Sequence, residues 1–211
     1  RGPDGDAMGS TLALYHFLLK NNHQPVVIAP NEFPDFLAWL PGSETVEVYE
    51  KEREKCTAIL KEAELIFTLD FNALHRTGEM ETVLQTLSVP FIMIDHHQKP
   101  DDYATVMYSD TQFGSTCEMI YNFITYLGQK SSIDKTIATC IYTGILTDSG
   151  SFRFPKTTGN THRIVADLID LGVENTVVPT LLFDNSSYNR LQLLGRALQN
   201  MQLIPEKQTS Y

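Results

Sequence analysis

The residues best suited to chemistry in this chain are aspartates and histidines that fall in four separate short stretches. In chain order these are Asp4 and Asp6, Asp70, Asp95 to His97, and Asp148. Clustered carboxylates make an acidic pocket that a divalent cation neutralises, and carboxylate oxygens with one or two imidazoles suit Mn²⁺ better than zinc or calcium. The set therefore predicts a metal site, with Mg²⁺ as the alternative ion, if folding brings the four stretches together.

The first two stretches are ambiguous when each is taken alone. Asp4 and Asp6 flank Gly5, so both carboxylates can point from one tight loop, but Asp-Gly-Asp is also a common turn. Asp70 ends the apolar run 65–69, where it can bridge two metals or open a loop. The residues alone leave both alternatives open.

Asp95, His96 and His97 directly follow the apolar run 91–94. Two adjacent imidazoles beside a carboxylate at a strand end are hard to explain by packing. The arrangement suits one histidine as a metal ligand, oriented by Asp95, while the other contacts a substrate phosphate.

Asp148 ends a helical pattern and is followed by a Ser-Gly loop with an arginine between two aromatic residues. Arg153 is predicted either to contact phosphate or to extend into solvent as an ordinary surface side chain. Ser10, expected to open the first helix, offers a hydroxyl or N–H to phosphate, although N-capping explains it equally well.

Short apolar runs alternate with helical patterns in the first half of the chain. Strands are predicted at residues 25–29, 45–49, 65–69, 90–94 and 105–108. Helices are predicted at residues 9–20, 51–63, 79–87, 114–127, 133–147, 161–171, 173–183 and 187–203. Alternation of this kind predicts an α/β fold with a mostly parallel sheet flanked by helices, which builds its site at the carboxyl ends of the strands.

Composition and charge exclude several classes of function. The 211 residues carry a formal net charge of −10, so the surface offers no basic stripe for long duplex nucleic acid. The three cysteines, Cys56, Cys117 and Cys140, show no zinc-knuckle or disulfide spacing, which fits a reducing cytoplasm. No apolar run is long enough to span a membrane, so no membrane association is predicted.

Taken in order, the four motifs resemble the DHH phosphoesterase superfamily. The resemblance covers essentially the whole chain, and residues 3–10, 95–97, 143–154 and 187–200 are most similar to DHH/DHHA1 enzymes of the oligoribonuclease and pAp-phosphatase type. It implies a DHH catalytic domain at residues 1–185, followed at residues 186–211 by a linker helix and a tail leading to an absent DHHA1 domain.

The resemblance also implies a binuclear Mn²⁺ site. By motif position, Asp4 binds one ion, Asp70 binds both, and the second ion is held by Asp6, His96 and Asp148. Asp70 and His97 are the catalytic residues, with His97 on the scissile phosphate. The family's first motif opens with a histidine that here is expected immediately before Arg1, and a Gly-rich stretch followed by His is expected beyond Tyr211.

The predicted function is hydrolysis of phosphate esters in short nucleotides: oligoribonucleotides, linear dinucleotides or 3′-phosphoadenosine 5′-phosphate (pAp). Two bound metal ions are expected to activate the attacking water. The alternatives are a manganese-dependent pyrophosphatase, a single-strand exonuclease of the same superfamily, and a nucleotide-binding module without turnover. Whether the protein forms a homodimer is left open.

Overall fold

The computed structural model describes residues 2–184, 188–204 and 209–210 of the chain. Its helices are α1 (Gly5–Lys20), α2 (Arg53–Glu62), α3 (Glu81–Leu84), α4 (Thr116–Tyr126), α5 (Lys135–Asp148), α6 (Gly159–Asp170), α7 (Val177–Phe183) and α8 (Tyr188–Asn200). Its strands are β1 (Ile28–Ala29), β2 (Glu47–Val48), β3 (Ile66–Leu69), β4 (Phe91–Asp95), β5 (Val106–Ser109), β6 (Leu203–Ile204) and β7 (Thr209–Ser210). Short 3₁₀ turns lie at Asp35–Leu37, Ser43–Thr45, Leu74–Met80 and Lys130–Ser132.

The predicted parallel α/β architecture is confirmed. Strands β3, β4 and β5 form a parallel sheet in that order, and β1 pairs in parallel with β2. Because Leu69 lies opposite Ile94, the residues that follow β3 and β4 emerge side by side at the carboxyl edge of the sheet. Asp70 continues this register, since its N–H donates to the carbonyl of Ile94 at 3.2 Å.

A channel of about 1550 Å³ lies beside the sheet. Its lining includes residues of β1, of β3 and of α1. Strands β1 and β3 belong to different sheets. Asp4, Asp70 and His97 also line it, so the channel reaches the carboxyl edge where the predicted site residues lie.

Helices α1, α4 and α5 pack against one another. Their buried side chains include Leu12, Ile120 and Ile141, each fully excluded from solvent. Helices α1 and α5 approach closely at Gly9, where an added Cβ would lie 2.5 Å from the carbonyl oxygen of Cys140. This contact fixes the start of α1 against α5, which positions two of the four predicted motifs.

The first helix begins earlier than predicted. Asp4 caps it by accepting hydrogen bonds from the N–H groups of Asp6 and Ala7, both at 3.1 Å, so the helix starts at Gly5. The expectation that Ser10 opens the helix was wrong, because the Asp4 cap comes six residues before it. Helix α3 is shorter than the predicted range 79–87, because a 3₁₀ segment extends to Met80 and the α-helix covers only Glu81–Leu84.

Residues 1–175 form one compact unit, and residues 176–211 form a second. In the second unit, Leu191, Leu194 and Leu198 of α8 are exposed, as is Met201 directly after the helix. Strand β6 pairs antiparallel with β7, where the sequence had suggested only a polar tail. The predicted start of this helix at Ser187 and residues 205–208 of the tail lie outside the described residues.

Within the described part of the chain, no helix combines the length and the apolar character that crossing a bilayer requires.

Candidate metal centre

Asp6 is a fully buried carboxylate in the first turn of α1. Its oxygens accept hydrogen bonds from the backbone N–H groups of Thr116 at 2.6 Å and Cys117 at 2.9 Å, in the first turn of α4. A helix N-terminus favours negative charge. Burial nevertheless raises the pKa of Asp6 well above its usual value, and repulsion from Asp70 and Asp148 adds to the effect. The carboxylate therefore lies where a cation is electrostatically favoured.

Asp4 and Ser10 belong to neither of the two groups described below that could hold a metal ion. Asp4 is exposed, and its Oδ1 caps α1, so Asp-Gly-Asp begins a helix here and does not form a separate turn. Ser10 is fully buried in the interior of α1, where its hydroxyl donates to the carbonyl of Asp6 at 2.7 Å. The predicted contact between Ser10 and substrate phosphate has no route in this structure, because the helix encloses that hydroxyl.

Asp70 enters the site from the end of β3 through an unusual backbone conformation. Its φ is +61°, a left-handed value that non-glycine residues adopt rarely and aspartate more readily than most. The side chain is buried, and its Oδ1 accepts a hydrogen bond from the hydroxyl of Thr116 at 3.0 Å. Burial is the main cause that raises the pKa of Asp70.

His96 follows β4 and lies at the centre of the cluster. Its Nε2 lies 3.3 Å from Asp148, 3.5 Å from Asp70 and 3.8 Å from Asp6, measured to carboxylate oxygens. Its Nδ1 lies 3.4 Å from the carbonyl oxygen of Phe113, a contact that favours the proton on Nδ1. Burial acts to lower the pKa of His96, but the carboxylates of Asp148 and Asp70 outweigh it and raise the pKa to about 10.

His97 has a different environment from its neighbour. Its Nδ1 lies 2.7 Å from Oδ1 of the fully buried Asp95, and its backbone N–H donates to Oδ2 of the same carboxylate at 2.8 Å. Asp95 raises the pKa of His97. The sequence had assigned Asp95 to orient the metal-binding histidine; the structure corrects this, because Asp95 holds His97, whereas His96 faces the carboxylates.

Asp148 reaches the cluster from the last residue of α5. Gly144, one turn earlier, permits the approach, since an added Cβ would lie 2.1 Å from the sulfur of Cys117 and 2.6 Å from Oδ1 of Asp6. A larger residue at this position would push α5 away from α4 and from the Asp6 carboxylate. Arg153, in the loop that follows, is exposed and donates through Nε to the carbonyl of Gly150 at 2.7 Å.

Two groups of side chains in the described residues have the geometry to hold a metal ion. One consists of Asp6, His96 and Asp148, and the other of Asp70, His96 and His97, with the ligand atoms of each group within 4.8 Å of one another. The buried Nε2 of His96 has no hydrogen-bond partner within the described part of the chain, although acceptor oxygens surround it. An imidazole lone pair facing carboxylate oxygens needs a cation or a proton, so this donor set fits a hard or borderline divalent metal.

Thr116 and Phe113 are site residues that the sequence reasoning did not identify. Thr116 supplies its backbone N–H to Asp6 and its hydroxyl to Asp70, and Phe113 supplies the carbonyl beside His96. The sequence did carry a signal for Thr116: Ser115 caps α4 and Glu118 follows three residues later, a spacing typical of a helix N-terminus. No comparable signal marks a backbone carbonyl.

Comparison with known families identifies the domain that carries these residues. The profile for the N-terminal domain of the DHH family matches residues 1–145, which carry every site residue above except Asp148 and Arg153. The chain belongs to the DHH family.

Relatives of this DHH chain align with most of its residues. A bifunctional oligoribonuclease and PAP phosphatase of Thermus thermophilus is 32% identical over 201 residues, which cover 94% of this chain and 56% of that protein. A Bacillus subtilis protein of the same name is 27% identical, covering 95% of this chain and 60% of that protein. The DHH chain thus spans less than two thirds of the length of these relatives.

Solved structures confirm the architecture. An exopolyphosphatase-related protein from Bacteroides fragilis superposes with a TM-score of 0.96 at 38% identity, covering 99% of this chain and 61% of that one. A Methanococcus jannaschii chain assigned to the family II inorganic pyrophosphatases gives a TM-score of 0.61 at 17% identity, covering 85% of this chain and 57% of that one. At that identity the second likeness concerns the fold alone.

Proposed function

We propose that this DHH chain provides the catalytic domain of a metal-dependent phosphoesterase that hydrolyses short nucleotides. The observation that carries the proposal is the position of His96, whose buried and unpartnered Nε2 lies within 3.8 Å of carboxylate oxygens of Asp6, Asp70 and Asp148. Burying like charges together is costly unless a cation joins them. Such a cluster favours metal binding over a purely structural role.

Asp6, His96 and Asp148 would hold one ion, and the motif position of Asp70 makes it the candidate ligand of both ions of a pair. The motif position of Asp4 makes it a candidate ligand of the other ion, through the oxygen that does not cap α1. Mn²⁺ is the proposed ion, with Mg²⁺ as the alternative, because the ligands are mainly carboxylates with imidazole. When bound, the metal supplies a Lewis acid that lowers the pKa of the attacking water.

His97 is proposed to contact the scissile phosphate. Asp95 accepts the Nδ1 proton of the imidazole, which fixes the ring and leaves Nε2 to face a ligand. By raising the pKa of His97, the same carboxylate favours the protonated ring, a donor suited to developing negative charge on phosphate oxygens. Arg153 remains a candidate phosphate contact, since its guanidinium is exposed beyond its bond to Gly150.

The proposed substrates are oligoribonucleotides of a few residues, linear dinucleotides and pAp. The names of the relatives support this class, and the net charge of −10 disfavours long nucleic acid. We further propose that residues 1–185 act as the catalytic domain, that residues 186–211 lead to a DHHA1 domain, and that the protein works in the cytoplasm.

A substrate panel on the complete gene product tests this function. We expect Mn²⁺-dependent release of mononucleotide from a diribonucleotide, or of phosphate from pAp, which a chelator abolishes and added Mn²⁺ restores. Asp70→Ala should remove the activity while circular dichroism stays unchanged. Cyclic dinucleotide and inorganic pyrophosphate complete the panel.

The other outcomes of the panel separate the alternatives. Turnover of pyrophosphate alone would identify a pyrophosphatase. Tight nucleotide binding without turnover of any substrate would show a binding module and contradict the proposal.

A further inference from the structure

A cavity of about 470 Å³ adjoins the metal centre and shares His96 and Asp148 with it. The other lining residues are Gly114, Ser115 and Glu118 around the start of α4, Ile145 and Ser149 near the end of α5, and Phe154 to Thr157 with Thr161 around the start of α6. The volume lies within the range of small-molecule sites in proteins. A group bound here therefore lies directly beside any phosphate that reaches His96.

Phe154 gives this cavity an aromatic wall. Its ring packs on the backbone of Gly150, where φ is +56° and an added Cβ would lie 2.6 Å from the ring carbons. The side chain is 54% exposed. An exposed aromatic ring at a cavity wall presents a face on which a planar group can stack.

Thr157 and Lys156 supply polar groups that have no partner among the described residues. The Oγ1 atom of Thr157 is buried without a hydrogen bond, which is costly for a hydroxyl group. Lys156 is exposed and forms no ion pair within the same ranges. A ligand with hydrogen-bonding edges would give the Thr157 hydroxyl a partner, and a negative charge nearby on the same ligand would pair with Lys156.

Glu118 makes a second metal site in this cavity improbable on chemical grounds. Its buried carboxylate already accepts hydrogen bonds from Thr161 at 3.1 Å and from Asn160 at 3.4 Å. Burial raises the pKa of Glu118, so the neutral acid is favoured relative to an exposed glutamate. Glu118 therefore ties α4 to α6 and shapes the cavity instead of attracting a cation.

We propose that this cavity binds a nucleobase of the substrate, with the base stacked on Phe154 and hydrogen-bonded by Thr157. The base belongs to a nucleoside esterified to the scissile phosphate, because the cavity and the metal centre share His96 and Asp148. The exposed surface of this cavity is mostly apolar and includes one aromatic wall, which suits a planar base better than pyrophosphate. This inference rests on the proposed function and names the residues that select nucleotides over simpler phosphate esters.

Abasic substrates test the assignment on the complete protein with Mn²⁺. The substrates are a diribonucleotide and two analogues in which one base at a time is replaced by hydrogen. We expect wild type to lose about tenfold in kcat/KM on one abasic analogue, within the range measured when base–aromatic stacking is removed. Phe154→Ala should lose about tenfold on the intact substrate and leave the rate on that analogue nearly unchanged.

Two further variants sharpen the result. Thr157→Val keeps the shape of the side chain and removes the hydroxyl, and we expect a smaller loss on the intact substrate only. Tyr126→Ala removes an aromatic ring that is 76% exposed outside the cavity, and it should match wild type on all three substrates.

Equal turnover of the three substrates by wild type, or an equal loss on all of them in Phe154→Ala, would overturn the nucleobase site and leave the proposed function standing. If wild type hydrolyses none of them, calorimetry tests the cavity independently. Adenosine monophosphate should then bind more tightly than ribose 5-phosphate, and Phe154→Ala should remove the difference; equal binding by wild type would overturn the site.

Discussion

The two ends of α5 each carry an aspartate, in opposite electrostatic settings. At the N-terminal end, Asp134 caps the helix by accepting from the N–H of Ile137 at 3.0 Å, and it lies 2.7 Å from the ammonium of Lys20. At the C-terminal end, Asp148 lies among like charges, 3.3 Å from His96. A helix favours a carboxylate at its N-terminus and disfavours one at its C-terminus. One end therefore stabilises the fold without help, whereas the other needs a cation.

The pKa shifts of the carboxylates around the two ends of α5 show the same contrast. Burial acts to raise the pKa of Asp134, but its bonds with Lys20 and Ile137 outweigh this and lower the pKa. Around the other end of the helix, burial is the main cause that raises the pKa of both Asp6 and Asp70, and repulsion from the Asp148 carboxylate adds to it in both cases. The partners of a carboxylate therefore distinguish two roles. A carboxylate beside a cation and an N–H donor stabilises the metal-free fold, whereas a carboxylate buried among other carboxylates is a candidate metal ligand.

Among the substitutions that compare the two ends of α5, the largest effect is expected from Asp148→Ala. Removing this carboxylate takes a ligand from the group with Asp6 and His96, so activity should fall by on the order of 1000-fold. The free energy of unfolding of the metal-free variant should lie within about 0.5 kcal/mol of the wild-type value, because losing the repulsion between Asp148 and Asp6 offsets losing the attraction between Asp148 and His96. Thermal melts with and without Mn²⁺ check both points.

The metal response is the decisive part of that measurement. A ligand that binds only the native state raises Tm, so Mn²⁺ should stabilise wild type and have a much smaller effect on Asp148→Ala. If Mn²⁺ stabilises both proteins equally, Asp148 is not a ligand and the contrast between the two ends of α5 fails.

Much of the candidate site could be predicted from the sequence, because the ends of buried strands are recognisable there. The apolar runs before Asp70 and Asp95 predicted buried parallel strands, and parallel strands bring their carboxyl ends to one edge. Two features depended on tertiary contacts that no local pattern encodes. Asp95 pairs with His97 and not with His96, and Asp6 is held by the N-terminus of α4, over a hundred residues away in the chain.

Helix starts were less predictable, for a related reason. Residues 9–20 have a clear helical pattern, but the first turn of α1 consists of small and acidic residues whose helical state depends on the Asp4 cap. Ser10 was therefore placed at a helix start when it lies within the helix, and its buried hydroxyl could not be recognised from its neighbours.

Asp95→Asn tests the same distinction inside the site. Like Asp134, the Asp95 carboxylate has its own hydrogen-bond donors, in this case the backbone N–H and the imidazole of His97. An amide at this position can present N–H to Nδ1 of His97, which moves the ring proton to Nε2 and weakens the orientation of the imidazole. We expect kcat to fall about 10- to 100-fold, the size typical of losing a supporting hydrogen bond at such sites.

The same variant should keep the metal response. Stabilisation by Mn²⁺ should match that of wild type, since Asp6, His96 and Asp148 are untouched. Loss of the Mn²⁺-dependent rise in Tm would show that Asp95 supports the metal group and would contradict its assignment to His97 alone.

The smallest effect on activity is expected from Asp134→Ala, the matched substitution at the other end of α5. Loss of the cap should lower the free energy of unfolding by about 1 kcal/mol at pH 7, with little added by the exposed pair with Lys20. Because the pKa of Asp134 is lowered on folding, its contribution is present above the unfolded-state pKa of about 3.9 and is lost as pH falls through the folded-state value. Chemical unfolding from pH 7 to pH 3 should therefore show that the difference in the free energy of unfolding between wild type and Asp134→Ala becomes smaller below about pH 4.

Turnover and the Mn²⁺ response of Asp134→Ala should stay at wild-type levels. A loss of activity comparable to that of Asp148→Ala would mean that the two ends of the helix do not act independently.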